Sequence, residues 1–145
     1  MRVTMDNQPA LLRQAAMWHG QDAMRADSIA LGVIDADGQL HAVITIDNRS
    51  ENSCDFHIAS NGGRKWASRG VLRTLSTYAF DFLGVNKIKT IVPHWNIRAL
   101  TACLHIGWRI EGATKCGAHD GTDGVCFGMT RDECRWLEKD SEHGE

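Results

Sequence analysis

No stretch of these 145 residues is long or apolar enough to cross a bilayer, so a spanning helix is excluded and a soluble chain without a membrane partner is expected. The opening residues 1–8 lack a charged region followed by an apolar one. No secretory signal is therefore read there, and the expected compartment is the cytoplasm. Cations are not in excess: 16 Lys+Arg against 18 Asp+Glu give a formal charge of −2, which argues against a general nucleic-acid binder. The five cysteines are odd in number and irregularly spaced, which fits reduced thiols better than a disulfide framework. Cys116, His119 and Cys126 lack the spacing of a zinc finger or ribbon, and no second close pair completes them, so no metal is expected. No repeat, low-complexity tract or linker divides the chain. It reads as one domain, 1–145, with residues 139–145 as a frayed tail.

What is present is a readable order of elements. Pro9 and Gly20 bracket a helix whose buried stripe is Leu11, Leu12, Ala15 and Ala16. Alternation over Ile29, Leu31 and Val33, a turn at Asp35-Ala36-Asp37-Gly38, and alternation again over Leu40, Ala42, Ile44 and Ile46 predict a hairpin. After the polar residues 47–53, a third strand spans 54–59, with Phe56 and Ile58 on one face and Asp55 and His57 on the other. Together the three make an antiparallel meander. The period then changes to 3.6 residues: Val71, Leu72, Leu75, Tyr78, Ala79, Phe82 and Leu83 share a helical face, and Gly84 fits a left-handed cap. Residues 87–92 form a strand stopped by Pro93, and Asn96 caps a helix that carries Leu100, Cys103 and Leu104 up to Gly107. Two closing strands at 108–111 and 125–129 flank a polar loop at 117–124. Thr130 to Glu133 reads as a capping box, predicting a short last helix with Trp136 and Leu137. The fold class is α/β (α+β): a mixed, mostly antiparallel central sheet with one parallel pair and helices on both faces.

Between Asn61 and Phe80 there is no acidic residue, while Arg64, Lys65, Arg69 and Arg73 are basic. Three of these four precede or open the helix, where free amides and the positive end of the dipole also favour an anion. The loop thus reads as a pyrophosphate cradle, with a solvated basic surface as the alternative.

The order strand, basic loop, helix, strand and Asn-capped helix, from Phe56 to Gly112, resembles the acetyl-CoA-binding half of the GNAT superfamily of N-acetyltransferases. Asn96-Ile97-Arg98-Ala99 and Ile106-Gly107-Trp108-Arg109-Ile110-Glu111-Gly112 are similar to that family's Asn-x-x-Ala/Ser and Ile-Gly-Phe-x-x-Glu-Gly signatures. Tyr78-Ala79-Phe80 and Leu83-Gly84 look like the helix end of the ribosomal-protein N-terminal acetyltransferase branch. The family's Arg/Gln-x-x-Gly-x-Gly/Ala loop aligns here with Gly63-x-x-Trp66-x-Ser68 or, one residue on, with Arg64-x-x-Ala67-x-Arg69. Neither register has the glycine pair that lets a phosphate approach the backbone. Asp132 to Trp136 is similar to the ending of GNAT-like proteins of phages and prophages.

The resemblance implies acetyl-CoA as cofactor. Arg64, Lys65, Trp66, Ala67, Ser68, Arg69 and Gly70 would surround the coenzyme A pyrophosphate, Ile58 and Ser60 would offer backbone to the pantetheine, and Asn96 would bond the pantetheine or adenylate side. Transfer by direct attack needs a base for the amine, a donor to the thioester oxygen and a proton for the departing thiolate. His57 and Asp55 are the base candidates on the third strand, because a histidine titrates near neutral pH. His94 is a second candidate. The acid is a tyrosine in many family members; that slot holds Cys103 here, and the only tyrosine, Tyr78, lies on the earlier helix.

The implied function is acetyl-CoA-dependent N-acetylation of an amine on a protein or small molecule. A non-catalytic GNAT-fold protein that binds and inhibits a partner is the alternative, and a phage protein acetylating a host macromolecule is a third reading. The acceptor groove is expected from residues 8–26 and 117–124, with Trp18, Trp95 and Trp108 as lining or core residues. Sheet extension at the C-terminal strands suits a homodimer.

Overall fold

The computed structural model describes residues 1–19 and 28–137. Its strands are β1 (Arg2–Thr4), β2 (Ile29–Ile34), β3 (Leu40–Asp47), β4 (Ser53–Ser60), β5 (Lys87–Pro93), β6 (Arg109–Thr114) and β7 (Gly124–Thr130). Its α-helices are α1 (Gln8–His19), α2 (Arg69–Thr77) and α3 (Ile97–Ile106). The strands form one sheet in the order β1-β2-β3-β4-β5-β7-β6. Every neighbouring pair is antiparallel except β4 and β5, which run parallel. The predicted meander and parallel pair are thus both present.

Side chains alternate across a strand, so each strand feeds two cores. On one face Leu11, Leu12 and Ala15 of α1 pack on Ala30, Val43 and Ala59. Gly32 lets α1 come close, since a Cβ there would lie 2.7 Å from Leu11 Cδ2. On the other face α2 and α3 cover Leu31, Ile44, Phe56, Ile88 and Phe127. Covered on both sides, β3 is buried continuously from Ala42 to Asp47, which explains its nearly unbroken apolar sequence. Both long connections out of the parallel pair therefore lie on the α2/α3 face, leaving the α1 face of β5, β6 and β7 without a helix among the described residues.

The helix ends carry local caps, of which Asn96, Gly84 and Gly107 are read from sequence and Ser68 is not. Ser68 Oγ accepts from the Val71 amide at 3.3 Å, and Asn96 Oδ1 accepts from the Ala99 amide at 3.2 Å. Gly84 (φ 77°) and Gly107 (φ 107°) take the left-handed conformation past their helices, where the Val85 amide reaches Ala79 O and the Trp108 amide reaches Cys103 O.

Three features differ from the sequence reading. Strand β1 is too short for a periodic signal and exists because it pairs with β2. The second helix does not continue as an α-helix: Tyr78–Phe82 is a π-helical turn, closed by the Leu83 amide on Tyr78 O at 2.8 Å. The wider turn takes Phe82 out of the buried stripe, leaving it 74% exposed with its ring stacked on Tyr78. The predicted last helix is absent from the described residues. Thr130 and Glu133 do make the reciprocal bonds of a capping box, but the backbone beyond forms only i to i+3 turns. Side chains hold this segment instead: Arg131 bonds Phe80 O and Asp81, and Trp136 Nε1–H donates to Ile106 O at 2.8 Å. Gly20, the rest of the expected groove up to residue 26 and the tail 139–145 lie outside the described residues.

Candidate functional site

Strands β4 and β5 pair only at their beginnings, Ser53 with Lys87, Cys54 with Ile88 and Asp55 with Lys89. Beyond Asp55 the two strands part. Residues 56–60 of β4 remain bonded to β3 but have no partner on the β5 side. Alternate amides and carbonyls there face the gap, ready to bond an extended ligand. Ile58 and Ser60 lie on this free stretch. On the α2/α3 face beside it is a narrow apolar cavity lined by Phe56, Ile58, Trp66, Ile106 and Trp108, among others.

The basic loop follows the free end of β4. Arg64, Lys65 and Arg69 are exposed, and none has an ion-pair partner among the described residues. Arg69 and Gly70 are the first residues of α2, so their amides have no intrahelical acceptor. A Cβ at Gly70 would meet nothing within 4 Å, so this helix start faces open space. Trp66 does not join the exposed group: its side chain is buried beside Leu72 and Leu75, and the Ala67 amide closes a turn onto Arg64 O at 3.1 Å. The loop thus combines an apolar anchor with a cationic, amide-lined rim.

The opposite rim follows β5. Asn96 uses its side-chain oxygen as the cap of α3, and its side-chain amide group has no partner among the described residues. Arg98, in the first turn of α3, reaches across to Gly62 O at 2.5 Å. It thereby links the two loops that leave the carboxyl ends of the parted strands. Like the basic loop, Arg98 has no acidic partner among the described residues. In sequence it is only a spacer of the Asn motif; the local signal is an arginine in a first helical turn, where a cation is otherwise disfavoured.

On the α1 face, His57 stands two residues past the last β4–β5 pair. Its Nε2 lies 3.2 Å from Asp47 Oδ2, and side-chain exposures of 38% and 5% describe an accessible imidazole backed by a buried carboxylate. Asp47 also accepts from Ser28 Oγ. With the Nε2 proton directed at Asp47, Nδ1 keeps the lone pair that can take a proton. Asp55, the carboxylate singled out from sequence, faces elsewhere: Lys89 Nζ is 3.6 Å away and Asn48 Nδ2 3.2 Å. Asp47 is inconspicuous in the sequence because it is the last residue of a strand, reaching His57 diagonally across the β3–β4 register.

Two further imidazoles complete this wall. The His19 ring, at the end of α1, lies 4.4 Å from that of His119 and 6.3 Å from that of His57, centroid to centroid. Burial, with the neighbouring His119 and His57, pushes the His19 pKa down from 6.5 to about 4. His19 is therefore neutral at physiological pH. Cys103 sits apart, buried with Ile106 and Trp108 on the other face, and burial raises its thiol to about 11. His94 is exposed beyond β5, its amide bonded to Asp123 O. Of the three tryptophans considered, Trp108 is core, Trp18 half-buried against α1's cluster, and Trp95 exposed.

In three dimensions the chain is similar to mutant forms of the spermidine/spermine N-acetyltransferase SpeG from Vibrio cholerae, with a TM-score of 0.66 at 17% identity over 90% of this chain and 96% of that one. A SpeG chimera of Vibrio cholerae and hSSAT gives 0.64 at 21% identity over 83% and 74%. A protein assigned as an acetyltransferase from T. thermophilus gives 0.64 at 16% over 75% and 62%. The fold is that of the GNAT acetyltransferases. No family model matches the chain, and no curated protein matches it in sequence. The GNAT resemblance therefore rests on three-dimensional architecture and on the motifs quoted above.

Proposed function

We propose that the chain is an acetyl-CoA-dependent N-acetyltransferase acting on an amine of a protein or small molecule. The observation that carries this reading is the parting of β4 and β5 directly before a cationic, amide-lined loop. Coenzyme A needs both features: extended backbone for the amides of its pantetheine arm and positive charge for its phosphates. On this reading Ile58 and Ser60 flank the arm, while Arg64, Lys65, Arg69 and the free amides of Arg69 and Gly70 hold the pyrophosphate. Arg98 exchanges the Gly62 carbonyl for a phosphate oxygen. Ser68 acts as the helix cap and Trp66 as the buried anchor, so both shape the loop without touching the ligand.

Acetyl-CoA supplies the activated acyl group. The acceptor ammonium gives one proton to His57 Nδ1, with Asp47 holding the ring in that tautomer and stabilising the resulting imidazolium. The free amine then attacks the thioester carbon, the C–S bond breaks, and the coenzyme A thiolate leaves with the second amine proton. Backbone amides of residues 56–60 are suited to polarise the thioester oxygen.

The test has two stages. Acetyl-CoA at millimolar concentration should raise the melting temperature saturably, since a ligand bound only by the native state stabilises it by RT ln(1 + [L]/Kd). Absence of any shift refutes the cofactor assignment. Release of free thiol with an amine panel then separates transfer from binding alone.

A further inference from the structure

We infer that the wall from His57 to Trp95 is a track for an acceptor carrying a second positive charge beyond its attacking amine. The inference rests on the acetyltransferase reading above and names the substrate class that this reading leaves open.

Trp95 stands in the turn between β5 and α3 and is 54% exposed, yet its ring is fixed, because Nε1–H donates to Asp120 Oδ2 at 2.7 Å. Asp120 Oδ1 in turn accepts from the Thr122 hydroxyl at 2.6 Å and the Thr122 amide at 3.0 Å. These donors, the Thr122 hydroxyl first, then the Thr122 amide and the Trp95 indole, with a smaller contribution from the charge of His119, hold the Asp120 carboxyl down at about 2. No lysine or arginine pairs with it among the described residues. The result is a full negative charge fixed at the edge of an exposed indole. Carboxylate charge and aromatic face are the two groups that bind an ammonium or guanidinium.

The platform is held in place before any ligand arrives. Its loop is braced by the Cys116 amide on Asp123 Oδ1 at 2.9 Å, by the Ala118 amide on Thr122 O at 2.9 Å, and by the His94 amide on Asp123 O at 2.8 Å. The last bond fastens the loop to the end of β5, where the strands have parted. Preorganisation of this kind lowers the entropic cost of binding. The platform is also continuous with the base: the ring of His119, next to Asp120, lies tilted against that of His19, whose edge meets His57. Carboxylates thus mark both ends, Asp47 behind the base and Asp120 at the far end, with imidazoles between. Lys115 is the cation of this loop, and Lys89 is already paired with Asp55.

The experiment compares α,ω-diamines of increasing length with monoamines of matching length, bound to the complex of the full chain with coenzyme A and followed by calorimetry and tryptophan fluorescence. A diamine of suitable length should bind about tenfold more tightly than its monoamine. Asp120→Asn should abolish the preference, and Trp95→Leu should reduce it about threefold, with coenzyme A affinity unchanged in both. Equal binding of diamines and monoamines by the wild-type chain overturns the inference. So does a preference that survives Asp120→Asn, or a Trp95→Leu variant that loses coenzyme A instead of diamine. Rates of thiol release distinguish the two levels of the proposal. Asp120-dependent diamine binding without turnover leaves the track standing and removes the transferase reading, whereas equal acetylation of monoamines and diamines does the reverse.

Discussion

The two sides of the gap between β4 and β5 are charged in opposite senses. On the loop side Arg64, Lys65, Arg69 and Arg98 carry positive charge with no acidic partner among the described residues. On the α1 side the fixed charges beside the imidazole wall are the carboxylates Asp47 and Asp120. The proposed reaction, acyl transfer from coenzyme A to an amine, brings a polyanion and a cation to one point. Segregated charge lets each bind without attracting the other into its place. It also means that a substitution on one side should affect one substrate and spare the other.

The largest effect is expected at the proposed base. His57→Gln keeps polarity and removes the proton acceptor, so kcat should fall by about 10²- to 10³-fold while the affinity for acetyl-CoA stays within about twofold. Stopped-flow thiol release and equilibrium binding measure the two separately. A parallel loss of both would abolish the division between the sides. Asp47→Asn is expected to be milder, about tenfold in kcat, because the ring remains but its tautomer is no longer imposed. Asp55→Asn should leave kcat almost untouched, since Asp55 pairs with Lys89 and Asn48 and not with His57. The contrast between these two aspartates decides which one serves the histidine.

On the loop side Arg98→Ala is expected to weaken coenzyme A about tenfold, by removing a charge-assisted bond to phosphate. Dephospho-coenzyme A should lose as much and pantetheine nothing, which places the contact on the pyrophosphate. If affinity is unchanged and only the melting temperature falls, Arg98 merely ties the Gly62 carbonyl to α3.

These two sides are unequally legible in the sequence. The proposed cofactor side is local: a meander, a basic loop, Asn96 as cap and Gly84 and Gly107 as stops follow one another along the chain where periodicity and capping rules put them, and Ser68, read from sequence only as part of the loop, adds a second cap. The acceptor side is assembled from α1, the end of β3, the middle of β4 and the β6–β7 loop. Asp47, His19 and the adjacent pair His119 and Asp120 are separated by long stretches of chain, and no spacing rule links the three positions. His57 is visible in sequence only as an alternating residue, and Asp55 stands as its nearest carboxylate until the strand register shows that Asp47 is the partner. The π turn at Tyr78–Phe82 is hidden for a different reason. Its apolar residues continue the α-helical stripe in sequence, and only the Leu83-to-Tyr78 bond reveals the extra residue.

The smallest effect tests the acceptor side through stability. His19 has a folded pKa of about 4 against 6.5 when unperturbed, so across that interval the unfolded chain binds the proton more readily. Its contribution is fully present above pH 6.5 and is lost as the pH falls towards 4. The carboxyls lowered in the fold, Asp35, Asp120 and Glu133, start from 3.8, 3.8 and 4.5 and shift further down, so their losses begin where that of His19 is nearly complete. Among these four groups, the part of the interval from pH 6.5 to about 5 therefore isolates the histidine. Discounted for the ring's partial exposure, the loss is on the order of 1 kcal/mol, or ~3 °C in Tm for a domain of this size. Calorimetry of the wild type and His19→Gln over this interval should show a slope in the first that is reduced in the second. Equal slopes would mean that His19 is not held neutral by its surroundings, and that the imidazole wall beside the carboxylates of the acceptor side carries positive charge of its own.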